Sequence, residues 1–213
     1  MISMDWAVVG LINIFGTGVY TTIIMIGDQW MSMLRFVTTN RHKFREMEEM
    51  GDRYGITLEM VEMSYPERQS PDLEEVAVEG ARCLSSELGR GFFVEDSGLF
   101  IETLGGFPGP YSSYVQKTIG NAGILRLLGD SSERAAYFLS VICHFDGGFK
   151  VYKGRVDGKI ARECRGNSGF GFDPIFRPGD SDLTFAEMGD EKNRFSHRAR
   201  SAEIFFRSLA ETG

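Results

Sequence analysis

Two adjacent carboxylates sit inside an otherwise apolar run, FFVEDSGLF at residues 92–100. The run reads as strand. Burying a charge costs heavily unless a metal ion or cations compensate. Any fold that buries this segment must therefore bring one or the other to its middle. Successive strand residues face opposite sides, so Glu95 and Asp96 should play different parts, one toward a cleft and the other in support. Ser97 and Gly98 bend the backbone and add N–H and hydroxyl donors. The plain alternative is a surface turn between two short strands, residues 92–94 and 99–101; the apolar flanks favour a site, with the strand broken at the acidic pair.

The rest of the chain alternates strand and helix patterns. Residues 34–39 form an apolar run that ends at Asn40, a good helix cap. Phe44, Met47 and Met50 recur at helical spacing, and Gly51 or Gly55 ends that helix. Residues 56–63 alternate like a strand, and a polar loop with two prolines follows at 64–72. Leu73, Val76, Ala77, Gly80, Ala81 and Leu84 make a second helical stripe. Residues 111–128 read as one helix, 135–145 and 149–156 as a hairpin around Asp146-Gly147-Gly148, and 196–210 as the last helix. The pattern predicts an α/β fold with a mixed sheet flanked by helices.

Residues 1–32 stand apart. The stretch from Trp6 to Gly27 holds no charge, long enough for a membrane span. Its glycines and threonines weaken it as a helix, and Asp5 spoils a signal peptide. Met31 and Met33 directly precede the first strand-like run. We expect residues 1–32 to be a hydrophobic extension or disordered segment and residues 33–213 to be the folded unit, rather than a membrane-anchored protein.

The 23 basic residues against 30 acidic ones, net charge -7, argue against a nucleic-acid polymer as partner. Cys83, Cys143 and Cys164 lack metal or disulfide spacing and suit the reducing cytoplasm.

Four further segments carry chemistry. TTNRHK, residues 38–43, places Thr38, Thr39, Asn40, Arg41, His42 and Lys43 where a strand becomes a helix. Such a terminus offers free N–H groups and a positive dipole end to a phosphate, although the segment is not a Walker A loop. Lys117 lies one to two turns into a later helix, where it either reaches a phosphate or stays solvated. GNSGFGFDPIF, residues 166–176, combines glycines with Phe170, Gly171, Phe172 and Asp173: rings to stack a base, a carboxylate or amide to read its edge. Lys192, His197 and Arg198 converge on the start of the last helix, an unfavourable place for cations without an anionic or carbonyl partner. Mg²⁺ commonly takes one or two carboxylates, so a second oxygen donor beside Asp96 or Glu95 is expected; Glu67 in the loop at 64–72 is a candidate, in competition with Asp72, Glu74 and Glu75, which better suit the start of the next helix.

In this order, the segments TTNRHK, FVEDSGL, GGFPGPYS, GFGFDPIF and SHRARSA resemble the inosine/xanthosine triphosphate pyrophosphatase family, from about Met33 to the C-terminus. The resemblance implies an elongated mixed central sheet, two lobes around a nucleotide cleft, and a homodimer. It implies Mg²⁺-dependent hydrolysis of ITP, dITP and XTP to the monophosphate and pyrophosphate. By motif position, residues 38–43 and Lys117 would hold phosphates. Glu67 and Asp96 would hold metal, and Asp96 would be catalytic. Ser97, Phe170, Gly171, Phe172, Asp173, Lys192, His197 and Arg198 would contact the nucleotide. Thr39 stands where the family often has Gly, and Glu95 where many members have Asp. The alternatives are a Maf-like pyrophosphatase of pyrimidine or modified nucleotides and a non-catalytic nucleotide-binding protein.

Overall fold

The computed structural model describes residues 8–13, 20–26, 29–66 and 68–211. Within the first 32 residues, strands β1 (Val8–Asn13), β2 (Tyr20–Ile26) and β3 (Gln29–Ser32) pair antiparallel in a three-stranded sheet. Among the described residues, no helix is long and apolar enough to cross a membrane. The expectation of an extension or disordered segment at 1–32 falls partly on residues outside the described set.

The main sheet has seven strands. Its path begins at β4 (Leu34–Val37), which leads through α1 (Arg41–Arg53) to β5 (Leu58–Val61), paired parallel on one side of β4. The chain then crosses through α2 (Leu73–Leu88) to β6 (Phe92–Ile101), parallel to β4 on its other side. Short β7 (Pro108–Gly109) pairs with β6. Helices α3 (Ser112–Thr118) and α4 (Gly120–Leu128) lead to the long hairpin β8 (Ala135–Phe145) and β9 (Phe149–Ile160). Strand β10 (Phe176–Pro178), α5 (Phe185–Met188) and α6 (His197–Ala210) complete the chain. The sheet order is β10-β9-β8-β6-β4-β5, a mixed α/β arrangement.

Alternation along β6 separates two cores. Phe93 packs with Phe36, Met47, Met50, Phe205 and Phe206 on the α1–α6 side. Phe92, Val94 and Phe100 pack with Leu73, Ala77, Ala81 and Leu84 of α2 on the other. Farther along the strand, Leu99 and Ile101 join Phe138, Phe172, Phe176 and Phe185 in a third cluster.

Two expectations need correction. Strand β6 is continuous through Glu95 and Asp96, because β8 pairs with it from Phe92 to Ile101 and supplies an unbroken ladder. The helix expected over 111–128 is two helices. Gly120 adopts φ +61°, a left-handed conformation that breaks the run where glycine tolerates it.

The approach of β7 to β6 depends on Gly98. A Cβ there would lie 2.3 Å from the Gly109 carbonyl oxygen. Gly98→Ala should therefore push β7 off β6 and lose about 1–3 kcal/mol of stability, the usual penalty for overpacking. Urea denaturation checks this; an unchanged midpoint would show that β7 yields freely.

Candidate active site

The parallel neighbours β4 and β6 part company early. They pair only at Arg35–Phe92 and Phe36–Phe93, and β7 takes the same edge of β6 at Leu99 and Phe100. Between these contacts the edge of β6 from Val94 to Gly98 has no strand partner among the described residues. The chain leaves β4 toward β5 and returns beyond it to β6, so this gap is the point where strand order reverses. In open α/β sheets that is where ligands bind.

A cleft of about 420 Å³ opens there. Its walls include Thr38, Thr39, Asn40, Lys43, Glu95, Asp96, Ser97, Lys117 and Phe170, together with Ser64, Tyr65, Ser113 and Gln116. Segments far apart in the chain thus meet in one cavity. A second cavity of about 220 Å³ adjoins Phe170 and is lined by His42, Glu46 and Lys192 among others.

At the start of α1, Asn40 Oδ1 accepts hydrogen bonds from the N–H groups of His42 (3.0 Å) and Lys43 (3.2 Å). Thr38 Oγ1 accepts from the Asn40 N–H at 3.1 Å. The cap therefore occupies two of the N–H groups expected to be open to phosphate, while Thr38, Thr39 and Lys43 line the cleft. Arg41 instead points to solvent and pairs with Glu62 at 2.6 Å.

Glu95 and Asp96 do face opposite ways. Glu95 turns toward α6 and is 4% exposed. Lys43 Nζ lies 2.9 Å from Glu95 Oε2 and donates to the Glu95 carbonyl at 3.1 Å. Arg198 Nε lies 3.3 Å from Glu95 Oε1, and Ser140 Oγ donates to that oxygen at 2.7 Å. Burial pushes the carboxyl pKa up, but Arg198, Lys43 and the hydroxyl outweigh it and hold Glu95 far below the usual range. Asp96 remains half-buried on the cleft wall.

A second carboxylate, unforeseen from sequence, closes the network. Glu46 Oε1 pairs with Lys192 at 2.8 Å, and Glu46 Oε2 pairs with Arg198. Arg198 also donates to Ser97 Oγ at 2.9 Å. Lys192 continues to Asp173 Oδ2 at 2.7 Å, which accepts the Phe170 N–H at 2.9 Å and so anchors the glycine-rich loop. One sequence signal was available: Lys43, Glu46 and Met50 share a helix face at spacings of three and four, the face turned toward the buried Met47 and Met50.

The structure sorts the other expected contacts. Phe170 borders both cavities, stacks with His42 at 5.3 Å between centroids, and lies 5.0 Å from Lys192 Nζ. Phe172 does not reach the cleft. The 3-10 turn at Asp173–Ile175 sends it into the core, 3% exposed. Gly171, at φ +65°, is held through its carbonyl by Asn121 at 3.1 Å. Asp173 is spent on Lys192 and the loop backbone rather than turned to the cleft. His197 is buried and stacked on Phe138 at 4.5 Å, outside the walls of the cleft. Glu67 lies outside the described residues. Among the described residues no cluster of three or more His, Cys, Asp or Glu is spaced to hold a metal.

A sequence model of the Ham1 family matches residues 34–208. The chain belongs to the Ham1 family. It is 51% identical over 179 residues to a dITP/XTP pyrophosphatase of Thermococcus kodakarensis, covering 84% of this chain and 97% of that protein. It is 50% identical over 173 residues to the dITP/XTP pyrophosphatase of Methanopyrus kandleri, covering 80% and 92%. A solved HAM1 protein from Coxiella burnetii superposes with a TM-score of 0.72 at 32% identity, covering 84% of this chain and all of that one. The Ham1 match begins at β4 and takes in every element of the seven-stranded sheet.

In this Ham1-family site His197 is neutral. Burial lowers its pKa well below the ordinary value, and Arg198, Lys192 and Lys43 lower it further against Glu95. The unfolded chain takes up a proton near pH 6.5 while the folded chain does not, so this contribution to stability is complete above that value and lost as pH falls below it. Wild type should lose about 1.4 kcal/mol per pH unit below about pH 6, relative to His197→Gln. Urea melts at a series of pH values read the difference; parallel curves would mean that His197 titrates normally.

Proposed function

We propose that the protein hydrolyses 6-oxo purine nucleoside triphosphates (ITP, dITP and XTP) to the monophosphate and pyrophosphate. The observation that carries this reading is the convergence of Lys43, Lys117, Asp96 and Phe170 on one cleft at the sheet's switch point. Relatives at about half identity bear the name dITP/XTP pyrophosphatase.

The triphosphate enters where Thr38, Thr39, Lys43 and Lys117 line the cleft. Lys43 donates to the Glu95 carbonyl and forms an ion pair with its carboxylate, and an ammonium has three N–H groups, so it can also meet an anion. The base lies against Phe170, next to the donors of Lys192 and Arg198. Donors aimed at O6 accept hypoxanthine or xanthine, whereas adenine would present an amino group to another donor and lose a hydrogen bond; guanine shares O6, so its rejection must arise at the 2-position.

Asp96 orients a water and takes its proton as the oxygen attacks the α-phosphorus. The bond from the α-phosphorus to the bridging oxygen breaks, and the pyrophosphate charge is met by Lys43 and Lys117. One cleft carboxylate suits Mg²⁺, which takes one or two carboxylates with substrate phosphates and waters. Asp96, on the cleft wall, would hold it, with Glu67 as the second carboxylate. When bound, the ion supplies charge neutralisation on the triphosphate. We extend the same reading to a cytoplasmic homodimer, on the strength of the family resemblance.

A panel of ITP, dITP, XTP, GTP, ATP and pyrimidine triphosphates, scored by pyrophosphate release in Mg²⁺, should rank the first three highest. Preference for a pyrimidine nucleotide, or binding without release, would replace this reading. Asp96→Asn should cut ITP turnover by about 10²–10⁴-fold with the fold retained, the range for losing a general base; near-normal turnover removes Asp96 from that role.

A further inference from the structure

The geometry points to Glu95 as a positioning residue that ties the phosphate end of the cleft to the base end, and not as a metal ligand. The inference rests on the function proposed above. Each carboxylate oxygen sits against a cation within the protein. Oε2 faces Lys43 at 2.9 Å, and Oε1 faces Arg198 Nε at 3.3 Å and the Ser140 hydroxyl at 2.7 Å. The side chain itself is fully buried. A metal ion at either oxygen would bring a divalent charge against Lys43 or Arg198, a repulsion that the buried side chain has little solvent to screen. The one-residue step along β6 puts Asp96 on the opposite face of the strand.

The two cations do different work. Lys43 lines the cleft beside Thr38 and Thr39. Arg198 lies 5.5 Å from the centre of the Phe170 ring and reaches Ser97 and Glu46. Glu95 is the only carboxylate among the described residues paired with both. Arg198 has a second carboxylate, Glu46, to keep it charged, so removing the Glu95 charge misplaces the two cations instead of discharging Arg198. A positioning residue of this kind affects how the nucleotide is held more than the supply of metal.

Glu95→Gln keeps the shape and removes the charge. With ITP we expect KM to rise about tenfold or more, while the Mg²⁺ concentration for half-maximal rate stays within about twofold of wild type. Asp96→Asn, in contrast, should shift the Mg²⁺ dependence. The Arg198 Nε–H resonance of the nucleotide-free, metal-free enzyme should move in Glu95→Gln, a readout independent of turnover. Glu95→Asp retains the charge but is one methylene too short to reach both cations, and should give a smaller KM rise; it carries the same test if the Gln variant does not fold. A Mg²⁺ requirement that rises in step with KM, or an unmoved Arg198 resonance with unchanged KM, overturns the assignment. A wild-type enzyme that binds no purine nucleotide would sink the function proposed above, while the resonance would still decide whether Glu95 holds Arg198.

Discussion

A carboxylate on a central strand, covered on its own face by a helix, stays ionised only where cations reach it. Glu95 meets that condition through Lys43 from α1 and Arg198 from α6. Helices α1 and α6 pack together on that face through Met47, Met50, Ala199, Ala202 and Phe206. Apolar packing brings the helices to the sheet, and the buried ion pairs fix their register over it. Leaving one partner of such a pair alone in the interior costs about 3–5 kcal/mol, so the arrangement is exacting about its neighbours.

The network also explains why cations sit at the start of α6, where the helix dipole opposes them. Arg198 is balanced by Glu95 and Glu46, and its pKa is raised despite burial. Lys192, just upstream, is balanced by Glu46 and Asp173. His197 stays neutral between them. Three cations and three carboxylates run from the phosphate-facing Lys43 to the loop that carries Phe170. The proposed base and phosphate subsites therefore share one scaffold of ion pairs.

Asp96 owes its position to what β6 lacks. Strand β8 supports β6 along its whole length, while β4 and β7 leave the opposite edge open around residues 94–98. That gap lets a strand residue face a cleft without breaking the sheet. A continuous strand with one bare edge was not the expectation from a charged pair in an apolar run, because periodicity describes faces and carries no information about edges.

The alternation of strands and helices, the opposition of Glu95 and Asp96, the Asn40 cap and the segments that carry the chemistry were legible in the residues alone. These follow from local periodicity and capping chemistry, which a single chain displays in order. Only the tertiary structure decided which side chains are free to act. Phe172 and His197 belong to the interior, Asn40 is occupied by its own helix, and Glu46 joins a network that its place on a charged helix did not announce. The reason is physical: a polar or aromatic side chain acquires its role from partners brought together across more than a hundred residues of chain, as Glu46 and Arg198 are at a separation of 152.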